Sequence, residues 1–208
     1  MLESVIVDAV GSLRARVEVT GPGGHSWSDR GTPSAIHALA ELIPILRMAA
    51  TDDAPVNVGI VEGGRSINTI ADRAAMVVEC RSADPRPLDE FSAALERLRV
   101  PTPLKLGLEI LGRRPGGSLP PDSPLLSVAL DARRELGLAP VTGAGSTDAN
   151  AAMARGIPAI CLGVSFGRGM HTLGERIAVP SLKLGAAQLE LVLRSLLRKN
   201  PTPPESHI

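Results

Sequence analysis

The sequence predicts an α/β protein: a ferredoxin-like βαββαβ domain over residues 12–112, then an incomplete α/β portion over residues 113–200. Three observations predict it. Strand-like alternation and helix-like periodicity succeed one another in the order β-α-β-β-α-β. A stretch rich in Gly and Pro, GRRPGGSLPPDSP, closes that run and reads as a crossing between domains. The remainder of the chain holds one clear strand among helices, which is thin for a free-standing α/β domain.

Residues 1–11 precede the first clear alternation. Residues 13–20 then alternate, with Leu13, Ala15, Val17 and Val19 on one face and Arg14, Arg16, Glu18 and Thr20 on the other. After the turn GPGGHSWSDRG, Thr32-Pro33 opens a helix, with Thr as N-cap and Pro at the first helical position. Ile36, Leu39, Ile43 and Leu46 form its apolar stripe, and Pro44 predicts a kink or an early end. A second strand covers Val56 to Val61. The loop EGGRSIN leads to a third, from Arg73 to Arg81, that turns Ala74, Met76, Val78 and Cys80 one way. A helix from Leu88 to Arg99 buries Leu88, Phe91, Leu95 and Leu98, and a fourth strand runs from Leu104 to Ile110.

Beyond the break, Ser123-Pro124 starts a helix stopped by Gly137. A loop (TGAGSTDAN), a short helix, a buried strand (IPAICLG), a second loop (VSFGRGMHTLGER) and a final helix from Ser181 to Lys199 come next. The tail at 201–208, PTPPESHI, reads as disordered.

Composition narrows the function classes. The 208 residues are 44% hydrophobic and 21% charged, as in ordinary globular proteins. Formal net charge is +0 with no basic block, which argues against nucleic acid and acidic membrane surfaces as partners. One Trp, two Phe and no Tyr leave no base-stacking platform. No apolar run reaches the roughly 20 residues that span a bilayer. Cys80 and Cys161 lie far apart in apolar runs and make no disulfide framework, and a cytoplasmic location is the default.

Few residues can carry chemistry. Of four histidines, His37 and His207 read as solvated bystanders, whereas His25 and His171 lie in glycine-flanked loops that follow strands. Ser146, Thr147 and Asp148, in GAGSTDAN, read either as a helix cap or as a loop that contacts an anion or substrate. Asn68 in SINTIAD is a turn residue or a substrate contact. Arg113 and Arg114 are either solvated or a bidentate clamp for a carboxylate.

The segments GPGGHSWSDRGTPSAIHALA, NVGIVEGGRSINTIAD, GSTDANAAMARGIPAICLG and GRGMHTLGERI, in this order, resemble one family. It is the zinc metallopeptidase and amidohydrolase family of peptidase T, acetylornithine deacetylase, succinyl-diaminopimelate desuccinylase, aminoacylase and glutamate carboxypeptidase. The resemblance covers nearly the whole chain and is greatest to the peptidase T-like branch. It implies the end of an N-terminal catalytic segment at 1–11, a lid and dimerisation domain at 12–112 and the last part of a zinc catalytic domain at 113–200. It further implies that His171 is a metal ligand and that His25 polarises the scissile carbonyl, often across the dimer. Asn68 would contact substrate, and Arg114, with Arg113 as rival, would hold its carboxylate. Ser146, Thr147 and Asp148 would form a substrate-side loop beside the metals.

The family's remaining ligands, an H-x-D motif, a bridging Asp, a Glu-Glu pair and a further acid, have no match here. His25 is the first histidine, and no Glu-Glu dipeptide occurs. Glu3 stands near the last acidic ligand, but its spacing to Gly11 is too short for assignment. The expectation is therefore a portion of a zinc-dependent peptidase or amidohydrolase acting on a short peptide or N-acyl amino acid. It would be a homodimer through the lid, and inactive alone because one histidine cannot hold a catalytic zinc. The alternative is a non-catalytic dimerisation module.

Overall fold

A computed structural model describes residues 2–170 and 172–199; the expected tail at 201–208 lies outside the described residues. The chain gathers into two compact units. An inserted unit comprises Val10–Gly117, and a flanking unit joins Met1–Ala9 to Ser118–Ile208.

The flanking unit begins with β1 (Val5–Ala9). The inserted unit then runs β2 (Gly11–Thr20), β3 (Gly24–His25), α1 (Ala35–Arg47), β4 (Val56–Gly63), β5 (Thr69–Ile70), β6 (Arg73–Ser82), α2 (Pro85–Glu96) and β7 (Lys105–Arg114). Its four long strands form one antiparallel sheet in the order β4-β6-β2-β7, the ferredoxin-like topology. Alternation in β2 buries Leu13, Ala15, Val17 and Val19; β6 buries Ala74, Met76, Val78 and Cys80 beside them. Helices α1 and α2 cover this face with Leu39, Leu42, Leu46, Leu88, Phe91 and Leu95, closing one core.

The opposite face of the sheet carries charge. Arg14 Nε donates to Glu79 Oε2 across strands at 2.6 Å, Arg73 donates to Glu18 at 2.7 Å, and Arg16 pairs with Glu62. Burial pushes the Glu79 carboxyl up, but hydrogen bonds from Arg81 and Arg14 outweigh it and hold the group below the usual carboxylate range.

Helix α1 departs from expectation in three ways. It starts at Ala35, not at Thr32-Pro33, and Ser34 caps it without a side-chain bond. The Ala35 N–H instead donates to Ala71 O at 2.9 Å, so the approach to β6 satisfies a donor that a cap would otherwise take. The buried stripe is Ala35, Ala38, Leu39, Leu42 and Leu46, which leaves Ile36 exposed. Pro44 does not end the helix early, since three further residues follow it. Leu42 and Leu46 pack into the core on either side of it, which offsets the one lost backbone bond. Helix α2 begins three residues before its expected start, at Pro85, where Asp84 Oδ1 accepts from Arg86 N at 2.9 Å.

The flanking unit continues with β8 (Gly117–Ser118), α3 (Pro124–Glu135), β9 (Thr142–Gly145), α4 (Ala149–Met153), β10 (Cys161–Leu162), β11 (Gly167–Arg168), β12 (Arg176–Ile177) and α5 (Leu182–Lys199). Strand β1 organises it, parallel to β9 and antiparallel to β10. The first part of TGAGSTDAN is thus a strand, not a loop. Its backbone pairs with Val5–Ala9 from the far end of the sequence, and its glycines hide that pairing from any periodicity. Val5, Val7, Leu126, Ala129 and Val192 fill the core.

A buried cation joins the pieces of this unit. Arg133 donates to Ala139 O at 2.7 Å, Gln188 Oε1 at 2.9 Å, and the carbonyls of Leu2 and Glu3 at 3.0 Å each. Gln188 Nε2 passes the network on to Gly163 O at 3.2 Å. Burial lowers the pKa of Arg133, and Glu3 acts in the opposite sense. Among the described residues, no helix is long and apolar enough to cross a membrane.

Candidate functional site

The candidate site of the inserted unit is a pair of loops zipped together. Strands β3 and β5 pair antiparallel, Gly24 opposite Ile70 and His25 opposite Thr69. The next rung is the Ser26 N–H donating to Asn68 O at 3.0 Å. Two sequence-expected residues, His25 and Asn68, are thereby brought together although 43 positions separate them, 68 minus 25.

Each loop is pinned from within. Asp29 Oδ2 accepts from the His25 N–H at 2.7 Å, and the Asp29 N–H donates to His25 O at 3.0 Å. Gly24, at φ +148, permits this turn: a Cβ there would stand 2.9 Å from Asp29 Cβ. On the facing loop, Ser66 Oγ donates to Asn68 Oδ1 at 2.5 Å, and Thr69 Oγ1 donates to Ser66 O at 2.9 Å. Sequence reasoning misses Asp29, Ser66 and Thr69. The one signal for Asp29 is its place four residues past His25 in a glycine-rich turn.

The imidazole of His25 is held with one defined tautomer. Its Nδ1 accepts from the N–H groups of Trp27 at 3.2 Å and Ser28 at 3.4 Å. Backbone amides only donate, so Nδ1 is the acceptor and Nε2 carries the proton. The exposed side chain therefore presents an N–H donor. Arg30 lies over the Trp27 ring, 5.6 Å from its centroid, and donates to Trp27 O at 3.3 Å.

Arg113 and Arg114 divide by strand alternation. Arg113, opposite Leu13, forms an ion pair with Asp89 of α2 and so belongs to the helix-covered side. Arg114, opposite Ser12, takes the other side. In the flanking unit, Thr147 caps α4: its Oγ1 accepts from Ala149 N at 3.2 Å, while Asn150 Oδ1 accepts from Thr147 N at 2.8 Å. Asp148 is exposed and makes no side-chain cap bond. The expected metal ligand His171 lies outside the described residues. Among the described residues, no group of three His, Cys, Asp or Glu side chains could hold a metal ion. They do not fit a zinc site by themselves, because a catalytic zinc takes three protein ligands.

Residues 8–101 match the family model of the peptidase dimerisation domain, M20_dimer. Over these residues the chain is similar to the M20 peptidase dimerisation domain. The zipped loops of His25 and Asn68 both lie within it. The chain is 25% identical over 188 residues to YqjE of Bacillus subtilis, which takes in 86% of this chain and 50% of that protein. A tripeptidase from Staphylococcus aureus superposes with a TM-score of 0.76 at 24% identity, over 95% of this chain and 54% of the other. The aminopeptidase PepT of Bacillus cereus superposes with a TM-score of 0.77 at 22% identity, over 94% and 54%. The fold beyond the dimerisation domain is therefore also that of these hydrolases. The chain spans about half the length of the relatives it matches.

Proposed function

We propose that this chain supplies the lid and the C-terminal portion of a zinc-dependent hydrolase that cleaves an amide bond in a short peptide or N-acyl amino acid. One observation carries the reading: His25 is fixed with Nε2–H as a donor, on a loop zipped to that of Asn68. A preset donor is what an amide carbonyl needs as negative charge develops on its oxygen, and elsewhere such a contact contributes roughly 3–4 kcal/mol. Asn68 grips the substrate alongside, and Arg114 holds its carboxylate, with Arg113, ion-paired with Asp89, as the rival. Ser146, Thr147 and Asp148 line the substrate side of the flanking unit, with Thr147 also capping its helix.

Zinc is part of the proposal, with His171 as a ligand and the remaining ligands from outside these 208 residues. The polypeptide by itself then turns over no substrate. Its dimer forms through the β4 edge, where Ile60 and Val61 are exposed and Val61 lines a cavity with Ile36 of α1. Two unpaired cysteines suit a cytoplasmic location.

Two measurements test this. Dipeptide and N-acetyl amino acid hydrolysis by the purified polypeptide, with added zinc or cobalt, should be absent, and metal-dependent turnover would overturn the inactivity. Binding of N-acetyl-leucine, followed by NMR, should perturb the His25 ring and weaken in His25→Ala. An unperturbed ring removes the carbonyl-donor role. A dimer that binds no such ligand would favour the non-catalytic dimerisation module.

A further inference from the structure

Trp27 is the protein's one tryptophan, and the residue is 75% exposed. Ile67 is fully exposed. The two are not scattered surface residues. Trp27 follows Ser26 and Ile67 precedes Asn68, so both flank the same Ser26–Asn68 hydrogen bond. Their exposure does not come from a loose loop. The Trp27 N–H is held by His25 Nδ1 and its carbonyl by Arg30, while Ser66 and Thr69 fasten the facing loop. The Arg30 guanidinium lies over the indole, 5.6 Å from its centroid, yet Trp27 remains exposed to solvent.

We propose that Trp27 and Ile67 form an apolar clamp that selects the substrate group next to the scissile amide, favouring a bulky aliphatic substituent over a small one. This rests on the proposed role of His25. Trp27 is two residues along the chain from His25, at most about 7 Å between Cα atoms. A substrate whose carbonyl meets His25 Nε2 then has its neighbouring substituent within reach of the loop that carries the indole. Burial of an aliphatic side chain is favourable in proportion to the apolar area removed from water, so the clamp ranks substrates by the size of that group. A loop whose backbone is already held, with Arg30 against the ring, presents that area at a smaller ordering cost. The occupant is small because the exposed pair is local to the two loops and continuous with the candidate site.

The single tryptophan makes the test direct, since all indole emission reports the proposed site. The 208-residue polypeptide is titrated with N-acetyl-L-leucine and with N-acetylglycine while Trp27 emission is followed. The expected result is a saturable blue shift with the leucine compound at an affinity at least about 10-fold tighter than for the glycine compound. Ile67→Ser, at a fully exposed position where folding is not at stake, should reduce that preference to about 3-fold or less. Equal affinity for the two compounds overturns the clamp while leaving the hydrolase reading standing. Absence of any binding overturns both. Emission that shifts with protein concentration alone assigns Trp27 to a contact between copies and also overturns the clamp.

Discussion

The amide of Ser26 donates to the carbonyl of Asn68 at 3.0 Å, one rung beyond the pairing of His25 with Thr69. This contact joins two separate loops into one paired element. The geometry tolerates no side chain at Gly24, where φ is +148 and a Cβ would stand 2.9 Å from Asp29. Gly24→Ala should therefore unzip the pair while leaving the four-stranded sheet intact. Amide hydrogen exchange checks this: protection at His25 and Ser26 should fall, and that of β2 and β6 should not. Unchanged protection at Ser26 would mean that the loops hold together without the glycine turn.

Arg133 predicts a stability effect in the flanking unit. Replacing it by Leu leaves Gln188 Oε1 and the carbonyls of Leu2, Glu3 and Ala139 without these donors. Each unsatisfied buried group costs about 1–3 kcal/mol, so Arg133→Leu should lose at least about 2 kcal/mol in urea denaturation. Arg133→Lys should fall between, because one ammonium cannot reach the four acceptors with a guanidinium's fork. A loss below about 0.5 kcal/mol would show that water replaces the network.

The charged sheet face predicts a pH dependence. Hydrogen bonds from Arg81 and Arg14 hold the Glu79 carboxyl below its ordinary value of 4.5 against the effect of burial. A depressed carboxylate contributes stability that is present above the unfolded pKa and lost as pH falls through the folded one. The inserted unit should thus weaken below about pH 4.5. In Glu79→Gln the slope of melting temperature against pH in that range should be shallower. Identical slopes would show that Glu79 contributes nothing to acid sensitivity.

Cysteine reactivity should separate the two thiols. Cys80 is buried in the sheet, and burial with the nearby Glu79 pushes its thiol up to about 11. Cys161 is only partly buried. Alkylation near pH 8, around the ordinary cysteine pKa of about 8.5, should label Cys161 alone until denaturant is added, as peptide mass analysis would read. Label on native Cys80 would show that the core of the inserted unit opens.

The inserted unit is legible in the sequence because its buried face has a period of two in β2 and β6 and a helical period in α2. Where tertiary contacts replace local signals, legibility fails. The carbonyl of Ala71, not a side chain at Thr32, receives the first donor of α1. Strand β9 is a glycine-rich segment made a strand by distant β1. His25 and Asn68 are legible as motif residues, whereas Asp29 and the Nδ1 contacts that define the imidazole tautomer exist only once the turn closes.

The sheet order leaves β4 and β7 as edges, and the proposed dimer uses β4. Both carry exposed aliphatic side chains, Ile60 and Val61 on β4, Leu108 and Ile110 on β7. The β4 edge has the better seat for a second copy, because a cavity of about 240 Å³ between it and α1 is lined by Ile36, Leu39, Ile43 and Val61. A two-fold pairing there would continue the hydrogen-bond ladder and bury these apolar groups together. A lysine at that edge blocks such pairing by placing an unpaired charge in it. Val61→Lys should therefore shift the sedimenting species from dimer to monomer, while Leu108→Lys should not. The reverse outcome would assign the dimer to β7. A monomer before any substitution would refute pairing through either edge.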